Sequence, residues 1–352
     1  MKTLTRSIML SLLIAVTGLA LVTSTGISQG DQPLDGVTIQ QANASWVSAA
    51  PVTQIGKQLM EELGATVEIQ EFGSNSLAYS SMNLGDTDFW MNGWFPLHNP
   101  QIPADFNATI FDPHCEGCTT EGYLIDIPSI EEYEITSLED FRGNDELKQA
   151  FDENGDGKAD IFGCPPGWGC NATIEDQFEA YDWFSETFNH VTAAYAASFS
   201  TAQARINNGQ GALYYTWRPN STVLQLVPGE DVKYVNIVEN VEDMVKTSAY
   251  TDLPIEALQA DLGDEGVTET VNLGFGAASI HSVANNDFLE ANPAAEELLN
   301  QIRTDLQWIN EATLQINEEG AEAEDLAAQW IEDNRDTVDE WLNAARGAAS
   351  GM

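Results

Sequence analysis

Basic residues are scarce in this sequence. Only 13 of its 352 residues are lysine or arginine, against 56 aspartates and glutamates, so the formal net charge is −43. Nucleic acids are excluded as partners because phosphate binding requires basic patches. Hydrophobic residues make up 43% of the chain, which is too many for an acidic disordered protein. The charge therefore belongs to the surface of a folded protein, and a salt-rich habitat would screen it.

Beyond the N-terminus, the sequence has no hydrophobic run long enough to span a bilayer. At the N-terminus, Lys2 and Arg6 precede the apolar run Ile8–Val22, and small residues follow. This order is typical of a secretory signal peptide. We predict that residues 1–30 contain this peptide, with a cleavage site that the sequence leaves open. Because no cysteine precedes Cys115, we expect an exported, soluble protein without a lipid anchor.

Catalytic sequence motifs are also missing. The chain has no G-x-S-x-G elbow, no P-loop, no G-x-G-x-x-G fingerprint and no H-E-x-x-H helix. We therefore do not expect an enzyme.

The four cysteines form two close pairs, Cys115/Cys118 and Cys164/Cys170. Even pairing in an exported protein favours disulfide bonds. With His114, the first pair is also compatible with a metal site or a redox pair. No fourth metal ligand is evident and no thioredoxin-like sequence surrounds the pair, so disulfides are the preferred interpretation.

The hydrophobic pattern begins as β–α–β. Strand patterns cover Val37–Gln41, Thr66–Phe72 and Asp88–Phe95, and apolar residues recur at helical spacing from Val52 to a stop at Gly64. This order predicts an α/β fold with a parallel sheet and helices against it.

Further strands are predicted later in the chain, and residues from 293 onward are predicted to be helical. A helix entry at residues 135–140 suggests a second lobe inserted into the first. We predict a first lobe of residues 31–130 plus 272–352 and a second of residues 131–271. The later strands are Tyr123–Ile127, Ala212–Trp217, Val232–Val238 and Gly274–Ala284.

One stiff loop, Gly163–Cys170, reads Gly-Cys-Pro-Pro-Gly-Trp-Gly-Cys. Its prolines fix φ and its glycines allow geometries that other residues resist, which suits holding the Trp168 indole in place. The weak capping box Thr173–Asp176 predicts a helix start nearby, so the amides of Gly169 and Cys170 would lie near an anion-binding helix terminus. A ligand with both a cation and a carboxylate is indicated.

Three tryptophans lie beside glycine or proline, at the ends of apolar strands or in loops. Open α/β sheets present their ligand sites at such strand ends. The tryptophans are Trp94, Trp168 and Trp217. Aromatic faces bind quaternary ammonium groups with roughly 0.5–2 kcal/mol each. Three faces give at most about 6 kcal/mol, less than the ~8 kcal/mol of micromolar binding. A carboxylate contact is therefore needed, and His98 is the candidate side chain. Trp46 is a candidate for the lip of the cleft.

An acidic loop matches the first nine positions of a calcium-binding loop, with Gly157 at position six. Position twelve is Gly163 instead of glutamate, so the site is incomplete, and the alternative is a solvated acidic turn. Any calcium there would be structural. The five positions concerned are Asp152, Asn154, Asp156, Lys158 and Asp160.

Several segments together resemble the periplasmic glycine betaine/L-proline-binding proteins of ABC transporters, the ProX-like family. They occur in the family's order and cover most of the mature chain. These segments are Asn-Gly-Trp94-Phe-Pro-Leu-His98, Gly-Tyr-Leu-Ile-Asp126, Phe-Asp-Glu-Asn-Gly-Asp-Gly-Lys-Ala-Asp160, Gly-Cys-Pro-Pro-Gly-Trp168-Gly-Cys170, Tyr-Tyr-Thr-Trp217 and Asn-Pro-Ala-Ala295.

The resemblance implies a two-lobed, type II-like periplasmic binding protein fold with the ligand cleft between the lobes. It also implies a tryptophan box for trimethylammonium, a histidine and two amides for the carboxylate, and a disulfide within the stiff loop. At the matching positions these are Trp94, Trp168 and Trp217 for the box, His98, Gly169 and Cys170 for the carboxylate, and Cys164–Cys170 for the disulfide.

The function implied is that of a monomeric periplasmic receptor, without a required cofactor, that hands a betaine-type osmolyte to an ABC permease and its ATPase. The sequence departs from the family at Cys115/Cys118 and at Arg218-Pro-Asn220. The second departure leaves choline, carnitine, proline betaine and a sulfonium osmolyte open as ligands. A thiol–disulfide oxidoreductase using Cys115 and Cys118 is the rival from another class.

Overall fold

A computed structural model describes residues 32–237, 273–276 and 278–350 of the chain. The predicted signal peptide lies outside these residues. So do Val238, the last residue of one predicted strand, and much of the C-terminal part of the predicted second lobe. The lobe boundaries themselves stay a prediction.

Nine strands form a mixed sheet in the described part of the chain. They are β1 (Thr38–Ala44), β2 (Thr66–Phe72), β3 (Phe89–Phe95), β4 (Ala108–Asp126), β5 (Ala159–Phe162), β6 (Phe188–Val191), β7 (Leu213–Arg218), β8 (Val232–Tyr234) and β9 (Ala278–Asn285).

Thirteen helices accompany the sheet in the described part of the chain. They are α1 (Ala49–Glu62), α2 (Asn75–Leu84), α3 (Ile127–Tyr133), α4 (Asp145–Ala150), α5 (Gly169–Ala180), α6 (Phe184–Thr187), α7 (Tyr195–Asn207), α8 (Thr222–Gln225), α9 (Asn286–Ala291), α10 (Pro293–Gln301), α11 (Leu306–Leu314), α12 (Ala323–Asp333) and α13 (Arg335–Ser350). Short 3₁₀ turns at Asn99–Gln101 and Leu138–Phe141 and a π turn at Gln315–Glu319 complete the set.

The strand order is β2-β1-β3-β9-β4-β7-β5-β6, with β8 also paired to β4. Strands β1, β2 and β3 are parallel, as the β–α–β pattern predicts. Strand β4 links the two halves of the sheet. Its residues 108–119 pair with β9, and its residues 120–126 pair with β7 and β8. The chain therefore passes from one half to the other within a single strand.

Helix α1 packs closely on the opening β–α–β unit because its buried residues repeat at helical spacing. Val52, Ile55 and Leu59 are fully buried. Gly56 permits the approach, since a Cβ there would lie 2.4 Å from Met91 Sδ. Gly64, just past the helix, has φ +101°, a conformation that glycine adopts without steric cost.

Several predicted strands differ by a few residues from the observed bounds; for example, Val232–Val238 is observed as Val232–Tyr234 and Gly274–Ala284 as Ala278–Asn285. Two further predictions about local structure are also wrong in their bounds. The predicted short strand Tyr123–Ile127 is the end of the 19-residue strand β4. Its first half was missed because Pro113 and Gly117 interrupt any alternating pattern, and its pairing with β9 shifts register there. The strand ends at Asp126, whose side chain accepts the Ser129 amide and caps α3.

The helix after the stiff loop also begins earlier than the capping box predicts. Helix α5 starts at Gly169, with Trp168 as its N-cap residue. Thr173 lies inside the helix, where its hydroxyl donates to the Gly169 carbonyl oxygen. The helix terminus therefore lies directly beside Trp168.

The C-terminal helix α13 anchors the end of the chain. Leu342 is fully buried and belongs to the main hydrophobic core. The Arg335 guanidinium forms two hydrogen bonds to the Glu62 carboxylate, of 2.9 and 2.8 Å, and so ties α13 to α1. No helix within the described ranges is long and apolar enough to cross a bilayer.

Removing buried atoms from α13 should destabilise the protein. Leu342→Ala is expected to lower the free energy of unfolding by about 2–5 kcal/mol because it leaves a cavity in the core. Leu84→Ala is the matched control, since the Leu84 side chain is 75% exposed and its loss should cost little. Urea denaturation of both variants checks this. Equal losses would contradict the assignment of Leu342 to the core.

Candidate functional site

One cavity lies where the two halves of the sheet meet. All six residues that the sequence predicts to bind ligand line it: Trp94, His98, Trp168, Gly169, Cys170 and Trp217. Five further residues line it as well: Trp46, Asn75, Leu97, Glu121 and Tyr215. Whether these residues bind ligand stays a prediction.

Two of the tryptophans come from strand ends. Trp94 is the penultimate residue of β3 and Trp217 the penultimate residue of β7. Each is 4% exposed, and each indole Nε1 is buried without a hydrogen-bond partner among the described residues. Burying an indole N–H in this way has a cost, which the packing of the strand ends must offset.

The third tryptophan comes from the stiff loop and contacts both halves. The Trp168 ring meets the Trp217 ring edge to face, with centroids 5.6 Å apart and planes at 85°. Its Nε1 donates to Ser45 Oγ over 3.0 Å. Trp168 is only partly buried, and a larger outer cleft lined by Tyr195 and others lies beside it. The indole therefore separates the cavity from the outer cleft.

Trp46 is a fourth aromatic wall of the cavity, and it lines the outer cleft as well. Its ring centroid is 5.5 Å from that of Trp168, at 71°, and 6.3 Å from that of Trp94, at 80°. These near-perpendicular planes present several ring faces to one space. Trp46 follows β1, so the end of this strand was its only sequence signal.

His98 is a neutral hydrogen-bond donor. Its Nδ1 accepts the Trp94 amide over 3.1 Å and lies 2.8 Å from the Tyr79 hydroxyl oxygen. Because Nδ1 uses its lone pair, the single proton of the neutral ring is on Nε2. Burial lowers the pKa of His98 to about 3. The ring therefore stays uncharged at any physiological pH.

Asn75 adjoins the protonated ring nitrogen. Its side-chain amide lies 2.9 Å from His98 Nε2. Since Nε2 must donate, the amide oxygen of Asn75 belongs on this side, which leaves its NH₂ group as a further donor. The pair lines the cavity together, so this wall offers donors and no positive charge.

The N-terminus of α5 lies against the same wall. The amides of Gly169 and Cys170 belong to the first turn, whose N–H groups have no partners within the helix. Glycine at position 169 allows the approach, since a Cβ there would be 3.3 Å from both His98 Cδ2 and Leu97. The helix terminus and the imidazole can therefore contact one small anionic group.

The stiff loop is closed over the cavity. The backbone N–H of Asn75 donates to the Gly167 carbonyl oxygen over 3.3 Å. Gly167 has φ +94°, and a Cβ there would lie 3.1 Å from the Gly73 carbonyl oxygen. Any larger residue would be strained at this position and would press on the facing segment. These contacts join the two halves on the open side of the cavity.

Glu121 is a cavity residue that the sequence analysis missed. It lies on β4 opposite Trp217 of β7, so both side chains project from the same face of the sheet. One carboxyl oxygen accepts a short hydrogen bond from the Tyr215 hydroxyl. Burial raises the pKa of Glu121 to about 7, although the bond from Tyr215 opposes the shift. A single acid two residues before the predicted strand Tyr123–Ile127 was the available signal.

Both cysteine pairs are bridged, Cys115 to Cys118 and Cys164 to Cys170. His114 is not a metal ligand, because Nδ1 lies 2.8 Å from Thr304 Oγ1 and Nε2 donates to the Met91 carbonyl oxygen. The metal alternative at this pair is therefore wrong. Cys115 and Cys118 are only 4% and 6% exposed. This disfavours thiol–disulfide exchange, because exchange needs accessible sulfur.

The acidic loop is held by its own amides. The Asp152 carboxylate accepts the amides of Gly155 and Gly157 over 2.6 and 2.7 Å. The Asp160 carboxylate accepts the Glu153 and Asn154 amides. The other three predicted ligands also have hydrogen-bond partners. Asn154 Oδ1 accepts the Asp156 amide, the Asp156 carboxylate accepts from Asn189, and the Lys158 ammonium donates to the Ser185 carbonyl oxygen. Across the described residues, no group of three acidic, histidine or cysteine side chains is arranged for a metal.

Known proteins share both the sequence and the fold. Residues 37–333 match the family model described as "Substrate binding domain of ABC-type glycine betaine transport system". The chain is 32% identical over 342 residues to the "Glycine betaine-binding periplasmic protein OusX" of Dickeya dadantii, covering 95% of this chain and 98% of that protein. It is 30% identical over 340 residues to the "Glycine betaine/proline betaine-binding periplasmic protein" of Escherichia coli, covering 94% and 97%.

Solved structures extend the likeness to the fold. Lactococcal OpuAC, closed and complexed with glycine betaine, matches with a TM-score of 0.64 at 18% identity, covering 87% of this chain and 99% of that one. An ABC-transporter choline binding protein in complex with choline matches with a TM-score of 0.66 at 17% identity, covering 89% and 96%. The predicted two-lobed α/β periplasmic binding protein fold is thereby confirmed. Together with the family model and the two relatives, this shows that the chain belongs to the family of substrate-binding domains of ABC-type glycine betaine transport systems.

Proposed function

We propose that the protein binds glycine betaine, or a related quaternary-ammonium osmolyte, outside the cytoplasm and delivers it to an ABC permease. The observation that carries the proposal is the meeting of four indoles with a neutral histidine and a helix N-terminus around one small cavity. Trimethylammonium cannot donate a hydrogen bond, so aromatic faces are its natural partners. The carboxylate needs donors, and the opposite wall supplies them.

The cation end is bound by the indoles. Four faces at roughly 0.5–2 kcal/mol each would contribute at most about 8 kcal/mol, against the 6 kcal/mol of the three predicted from sequence. Trp46 thus closes much of the gap to micromolar affinity, although ordering and association costs still have to be met.

The carboxylate end is bound by the Gly169 and Cys170 amides and by His98 Nε2–H, which would exchange its hydrogen bond with Asn75 for one to the ligand. All three are neutral donors, and the helix terminus adds the partial positive charge of its dipole. Because Gly169 has no side chain, the helix terminus can lie close to His98.

Binding favours the closed arrangement of two lobes. In the proposed division, residues 31–130 plus 272–352 supply Trp46, Trp94 and His98, and residues 131–271 supply Trp168 and Trp217. A ligand that touches both lobes stabilises the closed state, which the permease would recognise. The receptor would act as an exported, periplasmic monomer without catalytic activity.

Choline, carnitine, proline betaine and a sulfonium osmolyte are the alternative ligands. Each carries a methylated cation that the indoles can bind, but choline lacks the carboxylate that the helix terminus and His98 would hold. Glycine betaine is therefore favoured over choline by the donor wall.

Calcium in the Asp152–Asp160 loop is a separate and weaker hypothesis. An ion would have to replace hydrogen bonds that the carboxylates already accept from loop amides. We expect calcium and EDTA to leave the melting temperature unchanged in a thermal-shift assay. A rise with calcium that disappears in the Asp156→Asn variant would establish the ion instead.

Truncating the indole of the stiff loop should weaken binding. Trp168→Ala is expected to reduce the affinity for glycine betaine at least about tenfold in calorimetry, because it removes one ring face and opens the cavity to the outer cleft. Trp308→Ala is the control, since Trp308 is also partly buried but lies on α11. An unchanged affinity of Trp168→Ala would remove the box from the proposal.

The protonation state of His98 can be measured directly. With a pKa of about 3, the ring should stay neutral from pH 5 to pH 8, and only its Nε2 should carry a proton. Nitrogen-15 NMR of the imidazole, assigned with a His98→Ala sample, checks this. A ring that titrates near pH 6.5, or one protonated at Nδ1, would contradict the assigned donor.

A further inference from the structure

Glu121 is an acid buried beside the aromatic walls, and no cationic side chain among the described residues is bonded to it. It is 3% exposed. One carboxyl oxygen accepts from the Tyr215 hydroxyl, while Oε2 is buried with no hydrogen-bond partner among the described residues. A native structure seldom leaves such an oxygen unsatisfied without a functional reason.

Within residues 32–237, 273–276 and 278–350, the groups around Glu121 offer no positive charge. Tyr215 of β7 is the one titratable side chain bonded to it, and burial keeps the pKa of that phenol well above its usual value. His98, across the cavity, is neutral. Tyr195 of α7 is a second phenol near Tyr215, and its hydroxyl is bonded to Thr216 and Thr222. Arg218 follows Trp217 on β7 and so projects from the opposite face of the sheet.

An isolated carboxylate in such surroundings is strongly disfavoured, so the empty site holds the group as a neutral acid. A quaternary ammonium between the indoles would supply the missing charge. At 4–6 Å, an opposite charge is sufficient to lower the pKa of a carboxyl group and restore its ionised form.

We propose that Glu121 is the counter-ion of the bound cation, and that the arrival of a quaternary ammonium group displaces the proton of its carboxyl group into the solvent. The O–H bond of the acid breaks, its electron pair stays on the carboxylate, and a buffer base takes the proton. This inference rests on the proposed function, since it requires a cation between the indoles, but it does not require that the ligand carry a carboxylate.

The proton makes affinity depend on pH in a defined direction. Below the pKa of the empty site, binding must remove a proton, so affinity falls as the pH is lowered. Above that pKa the carboxylate is already ionised, and affinity should be constant. His98 contributes nothing to this dependence because it does not titrate in the same range.

Calorimetry with glycine betaine and with tetramethylammonium tests the inference. At pH 6, in two buffers with different ionisation enthalpies, the wild-type protein is expected to release about one proton per ligand, and its affinity should be about tenfold lower than at pH 8. E121Q keeps the shape of the side chain but has no proton to release, so its affinity should change less than twofold. Glu131→Gln, on the exposed surface, should behave as the wild type.

Tyr215→Phe gives an independent measurement. The Tyr215 hydroxyl stabilises the ionised carboxylate, so its loss should move the midpoint of the affinity profile to higher pH. Equal proton release by the wild type and E121Q, or an unmoved midpoint in Tyr215→Phe, would overturn the role of Glu121.

The ligand-free protein separates this inference from the proposed function. The folded wild type holds a proton that the unfolded chain loses near pH 4.5, so Glu121 makes it less stable as the pH rises from 5 to 8. The melting temperature of E121Q should therefore rise relative to the wild type over this range, and a constant difference would overturn the inference. Proton release with tetramethylammonium but no binding of glycine betaine would support Glu121 and refute the betaine ligand.

Discussion

The cavity depends on the contact between the Gly163–Cys170 loop and the residues around Trp46. Trp168 carries the contact, with its ring 5.5 Å from that of Trp46 and its Nε1 bonded to Ser45. A methylated cation offers no directional bond, so its affinity depends on several ring faces held at fixed angles. A loop stiffened by two prolines and a disulfide keeps its indole in place, which limits the entropy lost when ligand binds.

The same closure places neutral donors opposite the indoles. None of the described residues that line the cavity is a lysine or arginine, and the helix N-terminus of α5 takes their place beside the uncharged His98. In a protein with a net charge of −43, this arrangement has a physical advantage. A fixed cation in the cavity would attract inorganic anions in a salt-rich medium, whereas neutral amides hold a carboxylate mainly when the cation of the same ligand is bound nearby.

The sequence alone predicted those elements and cavity residues whose position depends on their immediate neighbours in the chain. Strand β2 was predicted with its observed bounds, and Trp94, Trp168 and Trp217 were identifiable because glycine or proline follows or precedes them at strand ends and in the loop. Glu121 was missed because its position follows from the long-range pairing of β4 with β7. Trp46 was placed at the lip because nothing in its own segment shows that Trp168 packs against it.

The protonation states of His98 and Glu121 determine the charge of the cavity before and after a ligand enters. In the empty cavity His98 and Glu121 are both neutral below pH 7, since burial lowers the pKa of His98 and raises that of Glu121 to about 7. A cation that enters alone would find polarisable ring faces and a carboxyl group able to ionise. A zwitterion would find, in addition, the α5 amides and His98 for its carboxylate. Because the site acquires charge only in response to its ligand, it avoids the cost of burying an unpaired ion while it is empty.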